Sequence, residues 1–384
     1  MMHDNSSLAL ALLLSSFLFL SGCDLLGENA SDSPSLETTG IFVANGGNFS
    51  DQNGTITVYD PDTEQVSTPP ELRLNAFVHS IALENDTLFA QLNTGFSAGR
   101  VNVIDTENYA TSAQSDSLGA TRYVTVPDSD SSLAYVSTLR GSVYPFNPST
   151  GAVDASGVTV GASAADLVTS NQKVFTTIPD TSLAFSDTLV NNGSKLAVFD
   201  VGTETGVRTI DLGCDGPSHI SKDEEGELVV VCTGQTTFNG DFSSVVNRTD
   251  GQVVFVDPAT ESVITRLSLD AQVGSITGTQ VAHYDPNSEL LHAVRSRNGD
   301  VVQIDTDANR ILTTIPVPSD SSLTGLAAVA YDGSSQRLYL ARADVQQPFS
   351  SAGTVVVLGP SGTEQTRFTA GPAPSHIAIR REAP

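Results

Sequence analysis

Gly54-Thr-Ile-Thr-Val-Tyr-Asp60, Gly99-Arg-Val-Asn-Val-Ile-Asp105, Gly251-Gln-Val-Val-Phe-Val-Asp257 and Gly299-Asp-Val-Val-Gln-Ile-Asp305 are copies of one pattern. Three looser copies join them: Gly141-Ser-Val-Tyr-Pro-Phe-Asn147, Gly193-Ser-Lys-Leu-Ala-Val-Phe-Asp200 and Gly353-Thr-Val-Val-Val-Leu-Gly359. Each runs from a glycine through alternating β-branched residues, the period of a pleated, half-buried strand. Successive glycines are 45, 42, 52, 58, 48 and 54 residues apart, the length of a propeller blade with loop insertions in the longer copies. Many copies end in turn chemistry, as in Asp60-Pro61-Asp62-Thr63 and Asp257-Pro258-Ala259-Thr260. Proline presets φ, and the Asp side chain accepts from a backbone N–H two residues on, so these carboxylates are structural.

Working outward, a second strand precedes each copy: Ile41–Ala44, Leu88–Gln91, Leu133–Val136, Val174–Thr177, Leu228–Val231, Leu290–Ala293 and Leu338–Ala341. A third lies upstream across a polar hairpin, as in His219-Ile-Ser-Lys-Asp-Glu-Glu-Gly-Glu-Leu228, and an outer strand follows the turn, as in Val263–Leu269. Four antiparallel strands make one blade. The first repeat lacks its inner strand, and the chain ends in a surplus one, Pro374-Ser-His-Ile-Ala-Ile379, which matches Pro217-Ser-His-Ile220. The fold class is therefore all-β. It is a seven-bladed β-propeller of four-stranded antiparallel blades over residues 39–384, closed by the C-terminal strand, which leaves no blade edge open.

The repeat resembles the YVTN-type β-propeller family. Phe42-Val-Ala-Asn45 and Tyr135-Val-Ser-Thr138 sit where that family carries its Tyr-Val-Thr-Asn signature. The resemblance implies architecture and leaves function open, because such propellers serve many tasks.

Residues 8–20 form an apolar run of signal-peptide length, and Leu20-Ser21-Gly22-Cys23 follows at once. This resembles the lipobox of bacterial lipoproteins. The resemblance implies a signal peptide at 1–22, lipidation at Cys23, a disordered tether at 23–38 and a lipid-anchored place in the cell envelope, periplasmic or on the outer membrane. The leader departs from the pattern in having no Lys or Arg before its apolar run.

The net charge is −26, with 44 acidic against 18 basic residues and lysine only at 173, 195 and 222. Such a surface repels nucleic acid. It resembles the acidic surfaces of halophile proteins, where salt screens self-repulsion. With Cys23 lipidated, Cys214 and Cys232 remain as a disulfide candidate in an oxidising compartment. A hairpin centred on Glu224-Glu225 sets Cys232 opposite Pro217, three residues from Cys214.

No Gly-x-Ser-x-Gly motif, phosphate loop or paired Cys-x-x-Cys is present, and no cofactor or metal ligand set is implied. Candidate binding residues lie at or near the starts of inner strands, around the channel mouth: His79, Arg122, Asp166, His219, Gln280 and His376. His283 and His292 fall elsewhere in their blade. Phe-Ser pairs at 49, 96, 185, 242 and 349 sit in the loops between second and third strands, either as an exposed collar or packed between blades. These loops include the long Gly234–Asp250, read as a flexible loop. The reading is a monomeric envelope scaffold that presents its mouth face to an envelope protein, peptide or glycan. The alternatives are a lactonase-like hydrolase with His219, His376 and Arg122 in the acid, base and anion roles, or a metal-binding propeller on the same histidines.

Overall fold

Near-continuous apolar runs such as Leu228–Cys232 and Gln252–Asp257 give the second and third strands two apolar faces, and stacking sheets about a common axis buries both. The computed structural model describes residues 36–384, apart from 85, 180–192, 204, 240, 242, 275–278, 296–297 and 383–384. The expected leader and tether up to residue 35, with Cys23, lie outside the described residues, as do Phe185 and Phe242. The first strand, Glu37–Asn45, starts two residues inside the expected tether.

Seven four-stranded antiparallel sheets form the ring. Their inner strands, from blade one to blade seven, are Pro374–Glu382, Phe77–Glu84, Thr121–Thr125, Leu167–Ser170, Pro217–Lys222, Ala282–Asp285 and Ala328–Asp332. The closing strand pairs with the first strand over Ile41↔Ile379, Phe42↔Ala378 and Val43↔Ile377, as the surplus C-terminal repeat required. Its free inner edge is capped from blade six. The Gln280 carboxamide donates from Nε2 to the Ile377 carbonyl at 3.0 Å and accepts from the Ile377 N–H at 2.8 Å, and the backbone N–H groups of Thr279 and Gln280 reach the Ser375 carbonyl.

Seven apolar clusters fill the seven interfaces between neighbouring blades. At the seam Tyr59 of blade one stacks on Phe368 of blade seven, centroids 4.2 Å apart. The turn carboxylates behave as their sequence demands. Asp60 accepts from the backbone of Asp62 and Thr63 and from the Thr63 hydroxyl at 2.7 Å, and Asp257 repeats this with Ala259 and Thr260. These bonds hold both carboxyls below the usual range.

Cys232 faces Pro217 in the hairpin register, and the structure pairs it with Cys214 in a disulfide. The segment after Cys232 is not a plain loop. Thr236–Phe238 and Val245–Arg248 pair as an extra hairpin, because Thr-Thr-Phe on one arm and Val-Val on the other are strand-favouring residues.

Candidate binding site in the channel

In this ring the starts of the inner strands share a face with the connections between second and third strands. A cavity of about 850 Å3 opens there. Leu139, Pro179 and Pro348 line it from those connections, and Ala164, Val273 and Val281 from the approaches to inner strands. Arg122 and Tyr123, from the inner strand of blade three, form its floor. The Tyr123 hydroxyl crosses the channel and donates to the Thr279 carbonyl of blade six at 2.9 Å. Both residues also line a second cavity of about 260 Å3 deeper in the channel, so this bridge divides the channel in two.

Of the six residues expected at the mouth, Arg122 lines the mouth cavity, Asp166, His219, Gln280 and His376 line the deeper one, and His79 lines neither. Arg122 alone faces the mouth cavity. Its Nη1 donates to His79 Nε2 at 3.2 Å, and among the described residues no carboxylate pairs with it. Burial lowers the pKa of its guanidinium, with Tyr123 opposing. His79 is itself buried, edge-on to the Tyr123 ring, and burial and Arg122 hold its pKa well below the usual histidine value. It positions the arginine.

Asp166, His219 and His376 line the deeper cavity instead of the mouth. His219 and His376 are each third in their inner strands and Asp166 stands just before its own, so depth follows where each strand starts and not the count along it. Asp166 Oδ2 accepts from His219 Nδ1 at 2.8 Å and from the Ile220 N–H at 3.2 Å, and its Oδ1 accepts from the Leu167 N–H at 2.9 Å. The carboxylate assigns the proton to Nδ1, which leaves a lone pair on His219 Nε2; that atom is buried without a partner. His376 Nδ1 is also buried and unpartnered. Burial, with His219 adding and Asp166 opposing, pulls the His376 pKa down to about 4. Gln280 has both side-chain polar groups engaged in ring closure, so its role here is structural.

Sequence reasoning missed Tyr123, His283 and Arg381. His283 does lie on an inner strand, because that strand begins at Ala282, and it lines the deeper cavity. Its Nδ1 accepts from the Tyr331 N–H at 3.2 Å. Arg381 pairs with the fully buried Asp285. Tyr123 carried a legible signal, adjacency to Arg122 on a channel-lining strand. His292 belongs to the second strand and stacks on Tyr331. Among the described residues no three His, Cys, Asp or Glu side chains are placed to hold a metal ion.

The mouth face is also apolar at its rim. Phe96 is 80% and Phe349 46% exposed, and Leu139, Val245, Val246 and Val345 are also exposed, on connections of the same face. Phe49 tilts against Phe96 at 4.9 Å and Phe77 at 5.7 Å. Of the described rings of the Phe-Ser loops, Phe96 and Phe349 stand at the surface, whereas Phe49 is half-buried against Phe77 of the next blade.

Fold and channel define a seven-bladed propeller with a mouth cavity accessible from one face. No protein-family model matches the chain, and no curated protein matches it in sequence. Its structural neighbours are propellers of diverse description. One is a quinonprotein alcohol dehydrogenase-like protein from Bacteroides thetaiotaomicron (TM-score 0.61, 11% identity, 90% of this chain and 79% of that one). Others are hydrazine synthase of Kuenenia stuttgartiensis (0.57, 16%, 80% and 96%) and apo AztD from Citrobacter koseri (0.54, 13%, 90% and 99%). At these identities the likeness shows the fold.

Proposed function

We propose that this chain is a binding propeller, held in the cell envelope by a lipid on Cys23, that docks a protein or peptide partner on its channel-mouth face. The observation that carries the reading is that exposed Phe, Val and Leu recur on the connections of the face where the mouth cavity opens, with Leu139 in its wall. Isolated apolar residues are ordinary on a surface, whereas a rim of them about a concave mouth is the anatomy of an interaction site. The acidic remainder of the surface disfavours indiscriminate association. The test is crosslinked co-purification from intact envelopes, comparing wild type with a Phe96→Asp, Phe349→Asp variant of unchanged melting temperature. A partner captured by wild type and lost from the variant supports docking at this face. An identical set of captured proteins refutes it.

A second reading, a hydrolase, is favoured by one observation. A cavity-lining imidazole oriented by Asp166, with Nε2 left unpartnered, has the orientation of a general base. Lactone turnover by wild type that disappears in His219→Gln and Asp166→Asn supports it, and turnover that survives both substitutions excludes the assignment.

A further inference from the structure

The mouth cavity has a polar feature that the docking reading leaves unused. Arg122 sits at its floor, half-buried, with one hydrogen-bond partner that is a neutral imidazole. Its Nε and Nη2 make no hydrogen bond with the described residues, so an N–H edge of the guanidinium remains available. Buried arginines elsewhere in the channel and at the rim spend their donors on protein groups: Arg381 on Asp285, Arg295 on Asp300 through two contacts at 2.7 and 2.8 Å, and Arg342 on the carbonyls of Thr324, Pro318 and Asp320. Arg122 differs in facing an apolar-walled cavity with an N–H edge unused, in a chain of 44 carboxylates of which no described one reaches it, and that edge can take an anion from outside. Burying a charge without a counter-charge is costly, and a ligand that supplies the counter-charge recovers that cost on binding.

We propose that the floor of the mouth cavity is a carboxylate-binding site, in which the free edge of Arg122 receives the carboxylate of a ligand whose apolar body packs against Leu139, Pro179, Val273, Val281 and Pro348. The proposal rests on the reading of the mouth as the binding face and names the chemistry it takes. A carboxylate is selected over a phosphate for two reasons. The site offers a single positive charge, which a monoanion neutralises and a dianion exceeds. The free edge is a planar pair of donors, matched to the two oxygens of a carboxylate. The net charge of −26 repels polyanions at a distance, so the ligand is a lone carboxylate on an apolar body, such as a peptide C-terminus behind an aromatic residue. His79 fixes the guanidinium by accepting from Nη1, and the Tyr123–Thr279 bridge closes the floor, so the site is formed before the ligand arrives. The cavity of about 850 Å3 lies within the usual range of small-ligand sites.

The test uses the propeller and four probes: benzoate, hippurate, indole-3-acetate and N-acetylphenylalanine, each beside its neutral amide and beside inorganic phosphate. Binding is read by ligand-observed NMR and by the rise in melting temperature. At least one carboxylate should bind saturably, its amide at least tenfold more weakly, and phosphate more weakly still. Arg122→Gln should reduce carboxylate affinity at least tenfold, and Arg122→Lys should restore part of it. Leu139→Asp, at an exposed loop position that cannot disturb the core, should weaken binding by placing a competing carboxylate in the cavity wall. Absence of binding by all four carboxylates, equal binding of acid and amide, preference for phosphate, or an unchanged affinity in Arg122→Gln would each overturn the site. Loss of the captured partner in the Phe96→Asp, Phe349→Asp variant with no probe binding defeats this inference alone. Probe binding with no partner captured defeats the docking reading alone.

Discussion

Replacing Gln280 with methionine tests the closure of the ring at one side chain. The two are close in size, so the change removes hydrogen bonds without opening a cavity. The Gln280 amide stands in for a further strand by pairing with both backbone polar groups of Ile377 on the free edge of the closing strand. Ile377 is 1% exposed, so water cannot replace those partners. Each orphaned buried group costs about 1–3 kcal/mol, and the apolar replacement recovers part of it, giving a loss of about 2–5 kcal/mol. Domains are stable by only about 5–15 kcal/mol, so this is a substantial share. Spread over the unfolding entropy of a propeller this size, it lowers Tm by roughly 3–7 °C. The assay is thermal and urea unfolding followed by far-UV circular dichroism, since the chain has no tryptophan to report by fluorescence. A Gln280→Met variant that melts within 1 °C of wild type refutes the idea that this residue secures closure.

Deleting residues 371–384 removes the whole closing strand, with its pairing to the first strand and the Arg381–Asp285 ion pair, and should abolish cooperative melting; a truncated chain that melts like the full one refutes closure by this strand. Breaking Cys214–Cys232, which closes a loop with a sequence separation of 18, with a Cys214→Ser, Cys232→Ser pair should cost about 3 kcal/mol on the chain-entropy model. Dithiothreitol should then lower the Tm of wild type and leave the double variant unchanged. Burial holds His376 near pKa 4 and His292 near 3, both below the unfolded value near 6.5. The folded state binds fewer protons in that window, so their contribution is full above about pH 6.5 and is lost as pH falls toward 4, by up to about 3 kcal/mol each. Glu84 and Asp223, raised by burial to about 7, act oppositely: they favour the folded state at low pH and withdraw that support as pH rises through 7. Glu84→Gln should therefore raise Tm at pH 8 relative to wild type and leave it unchanged at pH 4; equal differences at both pH values count against the buried-carboxyl assignment.

The sequence by itself determined the blade. Strand period, Asp-Pro turn chemistry and repeat spacing are local, and each repeat carries its own copy, so number, order and even the Pro217↔Cys232 register were legible. The surplus Pro374–Ile379 strand also announced its place, because only the first repeat lacked a partner for it. The tertiary structure alone decided depth along the channel and exposure at its rim. Which inner-strand residues face the mouth and which lie under the Tyr123 bridge depends on where seven separate strands start relative to one another. That is how His79, Asp166, His219, Gln280 and His376, alike in sequence position to Arg122, came to positioning, deeper-cavity and closure roles. Phe96 and Phe349 are exposed while Phe49 packs on Phe77 of the next blade, a difference set by which neighbours lie within reach and recorded by no single repeat.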